Sequence, residues 1–162
     1  VQPGMSIASA AGRKVLGRVL TAALGVFTLV GASAADQTII RVDKTASCGC
    51  CHVWVDRMRE AGFDVRARDV DHGTLVQIKI AMGITAETSA CHTASVEGYV
   101  VEGHVPAADI RALLSERPAA RGISVPGMPM GSPGMDFGGE KEPYDTVLIH
   151  EDGSLSSFRR YD

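Results

Sequence analysis

Residues 92–104 read HTASVEGYVVEGH, two runs of alternating character joined at Glu97-Gly98. A glycine-containing dipeptide between such runs is the pattern of a β-hairpin closed by a two-residue turn. No other feature constrains the chain as tightly, because the turn sets the register. With Glu97 and Gly98 in the turn, Val96 pairs with Tyr99, and counting back places Cys91 opposite His104. Directly opposed residues share a face of the sheet with Cβ atoms about 4.5–5.5 Å apart, so a thiol and an imidazole are brought side by side. Regular strand geometry turns His92 to the opposite face, unless the entry to the strand is irregular.

The flanking segments supply the rest of a fold. TIIRVD (Thr38–Asp43) is short and β-branched and reads as a strand. Ser47 is the expected cap of a helix that starts near a group of cysteines, with Trp54, Val55, Met58 and Ala61 as its apolar stripe and Gly62 as its stop. FDVRARDV has the period of a half-buried strand, and Asp71 is the expected cap of a second helix, TLVQIKIAM, stopped by Gly83. After the hairpin, Pro106 occupies the first turn of a third helix, where its missing N–H costs nothing. Ile110, Leu113 and Leu114 form that helix's buried stripe, and Pro118 ends it. PAARGISVPGMPMGSPGMDFGGEKEP has no hydrophobic period and reads as one long loop. TVLIHEDGSLSSFRRY then closes as a hairpin turning at Asp152-Gly153. Strand, helix, strand, helix, hairpin, helix is the thioredoxin order. The predicted fold is therefore α/β: a thioredoxin-like mixed sheet with flanking helices, a Met/Pro/Gly-rich loop and a C-terminal β-hairpin.

Residues 1–34 are read as a signal peptide. Met5 looks like the start, Arg13, Lys14 and Arg18 are the basic region, Val19 to Val30 is the apolar run, and Ala32-Ser33-Ala34 suits a signal peptidase. The run is too short to span the roughly 30 Å of bilayer hydrocarbon, and no cysteine stands at the cleavage point, so no membrane anchor is expected. Residues 35–162 then form a single exported, periplasmic domain. Removing the leader's three basic residues from the chain's 16 leaves 13 Lys/Arg against 19 Asp/Glu, a formal net charge of −6. That balance offers no footprint for nucleic acid.

SCGCCHVW (Ser47–Trp54) puts three of the chain's four cysteines, Cys48, Cys50 and Cys51, within four positions, where the first strand gives way to the first helix. Thiolates are stabilised at a helix N-terminus, which suits both redox exchange and metal binding. Two sulfurs suffice for dithiol exchange; the third points to a soft metal, Cu(I) or Zn(II), and clustered sulfurs can bridge more than one ion. An even count in an oxidising compartment also admits two disulfides, but at most one of the three crowded cysteines can reach Cys91. The candidate metal ligands are Cys48, Cys50, Cys51 and Cys91 with His104 and His92. Met128, Met130 and Met135 offer auxiliary thioethers in the Pro/Gly-rich loop. His52 shares a helical face with Asp56 and Arg59 and is expected at the surface; His72 and His150 sit beside turns. Met58 and Met82 fall on apolar stripes and are expected in the core. No Ser/His/Asp triad, phosphate loop or carboxylate pair stands out, and no catalytic residue is assigned.

GHVPAADIRALL after a short hairpin resembles the end of a thioredoxin domain, but SACHTASV puts Cys91-His92 where thioredoxins carry a cis-proline facing their dithiol. The combination of CGCC, SACHT, GYVVEGHVP and VPGMPMGSPGM is similar to the CopG-like family of exported proteins associated with bacterial copper resistance. The resemblance spans essentially all of residues 35–162. It implies a thioredoxin-like fold and copper binding through the cysteines, with a redox role on Cu(I)/Cu(II). The expected partners are copper ions and other exported copper-handling proteins. The expected function is to buffer or detoxify copper; the alternative is a thiol–disulfide oxidoreductase of exported proteins, and zinc is a further candidate metal.

Overall fold

The computed structural model describes residues 38–162; the expected signal peptide lies outside the described residues. β1 (Ile39–Lys44) presents Ile40, Val42 and Lys44 inward and leaves Arg41 exposed, the two-residue period of a strand with one covered face. It runs parallel to β2 (Asp64–Asp69), and a parallel pair needs a crossover. That crossover is α1 (Gly49–Glu60), which buries Cys51, Trp54, Val55 and Met58 on one stripe. Trp54 is fully buried and its indole N–H donates to Val105 O at 2.9 Å, so the polar end of the ring is satisfied inside the core.

Ser47 is not the cap of α1. The N-cap is Cys48, and no side chain makes a capping hydrogen bond to the helix. Asp71 does cap α2 (His72–Ala81), accepting from Thr74 N–H at 3.0 Å. β3 (Thr93–Val96) and β4 (Tyr99–Gly103) form the expected hairpin, with Val96 opposite Tyr99 and Thr93 opposite Glu102. α3 (Ala107–Glu116) follows with Pro106 as its N-cap, one place outside the expected first turn, and ends at Arg117 in the left-handed region.

The largest difference from the expected architecture is β5 (Ala120–Val125), which lies inside the segment expected to be loop. It runs parallel to β4, and Gly122, Ile123, Ser124 and Val125 are all buried. A strand covered on both faces shows no two-residue alternation, so its pattern is hidden. Gly122 looked like a loop residue for a different reason. A Cβ there would lie 1.9 Å from Val100 O, so only glycine lets the two backbones pair. The remaining loop leads into β6 (Tyr144–His150) and β7 (Leu155–Tyr161), the expected C-terminal hairpin, with Gly153 at φ 86° in its turn.

The sheet order is β2-β1-β3-β4-β5-β6-β7. Its first four strands, with β3 antiparallel to both neighbours, have the thioredoxin-like arrangement. β5, β6 and β7 extend it. Buried Asp109 of α3 accepts from Thr146 Oγ1–H at 2.6 Å and Tyr161 O–H at 2.8 Å, and pairs with Arg159 at 2.8 Å, which ties the extension to the core.

Gly122→Ala is expected to destabilise the protein at or above the upper end of the roughly 1–3 kcal/mol that overpacking costs. Gly49→Ala, with open space around its Cβ, is expected to be neutral or slightly stabilising. Denaturant unfolding of the two variants checks the pair; equal stabilities would contradict the β4–β5 packing.

Candidate metal centre

The β1–α1 junction delivers three sulfurs to one point. Cys48 caps the helix, and Cys50 and Cys51 lie in its first turn. Cys48 and Cys51 are joined as a disulfide, while Cys50 and Cys91 are free thiols. Cys50 Sγ is 3.5 Å from Cys48 Sγ and 4.0 Å from Cys91 Sγ, and Cys91 Sγ is 3.3 Å from Cys51 Sγ. All four sulfurs lie within 4.8 Å of one another.

The fourth sulfur comes from the hairpin in the register that its turn dictates. Beyond the last ladder pair, Thr93 with Glu102, Gly103 N–H donates a single bond to His92 O at 3.1 Å, and Cys91 Sγ lies 3.0 Å from His104 Nε2. His104 is fully buried, and its Nδ1–H donates to Pro133 O at 2.8 Å. A carbonyl can only accept, so this bond fixes the tautomer and leaves the Nε2 lone pair directed at the sulfurs. Ligating histidines are commonly oriented in this way by a backbone carbonyl.

His92 also reaches the site, because the strand entry is irregular: β3 begins only at Thr93. Its ring is fully buried, 4.5 Å from Trp54 and edge-on to His104 at 5.2 Å between centroids. Nδ1 lies 3.4 Å from Cys91 Sγ, whereas Nε2 has no hydrogen-bond partner among the described residues. Cys91, His92 and His104 place ligating atoms within 4.8 Å of one another, a second group that shares Cys91 with the sulfur cluster.

The Met/Pro/Gly-rich loop reaches the site through Pro133 and Gly134. Gly134, at φ 88°, packs so closely that a Cβ would meet Cys50 O at 2.8 Å, Trp54 N at 3.0 Å and His104 Nδ1 at 3.1 Å. Met128 is half exposed, and Met130 and Met135 are partly buried. His52 is exposed, with Lys44 Nζ 3.0 Å from its Nε2, and His72 is exposed at the start of α2. His150 meets Ser156 Oγ at 2.8 Å, in the C-terminal hairpin. Met58 is in the core; Met82 is half-buried, and Thr93 O–H points to its sulfur at 3.6 Å.

Two buried polar residues beside the site escaped the sequence reading, Lys79 of α2 and Glu102 of β4, which form an ion pair. The signals for them were present: Lys79 is four positions after Leu75 on the inward stripe of α2, and Glu102 interrupts the apolar run of β4.

Burial dominates the electrostatics. The Cys91 thiol is pushed up to about 12, chiefly by burial and then by neighbouring Cys50. His104 is lowered by burial, against the opposing effect of its bond to Pro133. His92 falls well below its ordinary value, through burial first and then His104 and Lys79. Both imidazoles are therefore neutral near pH 7, the state in which a ring nitrogen binds metal.

The family described as "Protein of unknown function, DUF411" matches residues 88–135, which include Cys91, His92, His104 and the loop as far as Met135. A solved structure of a copper resistance protein CopG, Form 2, is 38% identical with a TM-score of 0.73, covering 78% of this chain and 100% of that chain. The chain belongs to the CopG family. Form 1 gives 37% identity and a TM-score of 0.72 over 78% of this chain and 98% of that one. No curated protein matches the sequence.

In the Cys50→Ser variant with the disulfide intact, Cys91 is the one free thiol. Burial still holds this thiol up after the contribution of Cys50 is removed, so its alkylation at pH 8 is expected to be slower than that of an unperturbed cysteine. The rate should still be rising at pH 10. A plateau near pH 8.5 would contradict the burial of this thiol.

Proposed function

We propose that this chain is an exported, periplasmic copper-binding protein that buffers or detoxifies copper. Cys48, Cys50, Cys51 and Cys91, with His104 and His92, hold more than one Cu(I) per reduced chain. The observation that carries the reading is the convergence of four sulfurs and two neutral imidazoles, one with a fixed tautomer and one with an orphaned nitrogen. Thiolate sulfur favours Cu(I), and closely spaced sulfurs bridge soft ions. Zinc shares this donor chemistry and is the competing ion. The relatives named copper resistance protein support copper.

The finer parts of the proposal follow from the same donors. Cu(I)/Cu(II) cycling is favoured by a mixed set, since sulfur stabilises the cuprous ion and imidazole serves both states. Met128, Met130 and Met135 act as auxiliary thioether contacts, and other exported copper-handling proteins exchange ions with the site. Residues 1–34 are removed as a leader and residues 35–162 work as one domain. No helix among the described residues is long and apolar enough to cross a membrane.

A second reading is thiol–disulfide exchange on exported proteins. The Cys48–Cys51 disulfide at a helix N-terminus in a thioredoxin-like sheet favours it. Cys50 separates the two, because exchange needs only the Cys48–Cys51 pair.

Titration of reduced protein with Cu(I) under a competing chelator is expected to saturate above one ion per chain. With Cys48 and Cys51 left oxidised, capacity should fall. Cys50→Ser and Cys91→Ser should each lower it, with disulfide reduction nearly intact in Cys50→Ser. Saturation at one ion or fewer, or a variant that keeps full copper capacity but loses disulfide reduction, would sink the cluster reading.

The pH dependence has a definite sign. The cysteines release protons on binding, so affinity rises with pH and falls as pH is lowered. His104 is depressed, so its contribution to the fall begins below about 6.5 rather than at it. His104→Ala should weaken affinity at pH 7 and flatten the acid end of the profile; His52→Ala should do neither.

A further inference from the structure

Glu102 and Lys79 form an ion pair in the interior, outside the donor set described above. Replacing a buried pair by apolar residues of similar volume is often neutral or stabilising, so stability alone does not account for these charges. Glu102 Oε1 does more than meet Lys79 Nζ: it also accepts from Ala90 N–H at 2.7 Å.

Ala90 immediately precedes Cys91, ahead of the β3 ladder, which starts at Thr93. The residues before it are held separately. Ser124 Oγ–H donates to Thr88 O at 2.6 Å, and Gly127 N–H donates to Ser89 O at 3.1 Å. Ala90 itself lies in an isolated parallel bridge with Gly127, and Glu102 adds the hold on its N–H. It does so from β4, two residues before His104, so one carboxylate links both arms of the Cys91–His104 pair. The approach is close: a Cβ on Gly103 would lie 2.4 Å from Ala90 Cβ.

We propose that Glu102 is a positioning residue for the metal centre: its Oε1 reaches Ala90 N–H and thereby sets Cys91 against Cys51 and His104. Lys79 meets the charge of that carboxylate in the interior and is not needed once the charge is removed with it. The proposal rests on the reading of Cys91 as a metal donor. What matters is then the length and acceptor oxygen of residue 102 rather than its charge.

Two variants separate these properties. K79M/E102Q removes both charges and keeps an oxygen at the same reach. E102D keeps the charge for Lys79 and withdraws the oxygen by one methylene. Cu(I) affinity of the reduced full chain is expected within about threefold of wild type in K79M/E102Q and lower by about tenfold or more in E102D, the lower end of what losing such a support costs. The same ranking is read without copper from hydrogen exchange of the Ala90 amide, protected in wild type and K79M/E102Q and at least about tenfold faster in E102D. Wild-type behaviour of E102D, or loss of affinity and amide protection in K79M/E102Q, overturns the proposal. If the wild-type chain takes up no copper, the donor reading fails, and the amide-exchange ranking still decides the role of Glu102.

Discussion

The turn at Glu97-Gly98 governs the site more than any single bond within it. Both residues have positive φ, 45° and 91°, the pairing that lets a two-residue turn follow the natural twist of its strands. That turn admits one register, and the register puts Cys91 against His104 at a distance of thirteen residues along the chain. A slip of one position would send the thiol to the other face of the sheet. β1 pairs with the same hairpin, so the strand that leads towards Cys48 is aligned with β3, which starts two residues after Cys91. Local turn chemistry thus brings together sulfurs about forty residues apart.

The interior carries more polar groups than an apolar core requires, and two sets of them tie elements together. Asp109 is buried among Thr146, Tyr161 and Arg159 and fastens the C-terminal hairpin to α3. Lys79, Glu102, Thr88 and Ser124 lie around the segment that leads into Cys91. The first set couples the sheet extension to the thioredoxin-like part, and the second couples α2 and β5 to the candidate metal centre. β5 matters for the same reason: by pairing with β4 it launches the loop whose Pro133 carbonyl reaches back to His104.

Much of this was legible in the sequence where periodicity or turn chemistry was local. The β3–β4 hairpin, the α1 stripe through Trp54 and Met58, the Asp71 cap and the C-terminal hairpin each announce themselves within about a dozen residues. The Cys91–His104 contact followed from counting. β5 was hidden because a strand buried on both faces has no alternation, and Gly122, required by close contact with Val100, imitates a loop residue. His92 followed neither rule; its ring enters the site because the ladder begins one residue later. The Pro133 acceptor could not be read at all, since a backbone carbonyl has no sequence signature and its partner lies twenty-nine residues away.

Burial also bears on the proposed reading, in which the site would hold a soft univalent ion. Charge is costly in this interior, and the groups there resist it: the imidazoles stay neutral and the Cys91 thiol keeps its proton. A cuprous ion arriving at a protonated thiol displaces one proton, so the buried charge is unchanged. A divalent ion needs two thiolates for the same balance, and with Cys48 and Cys51 oxidised the free thiols are Cys50 and Cys91. Oxidation of the first pair therefore limits both how many ions enter and how their charge is met. The depressed imidazoles and the raised thiol are two expressions of one constraint: burial favours the neutral forms of the donors.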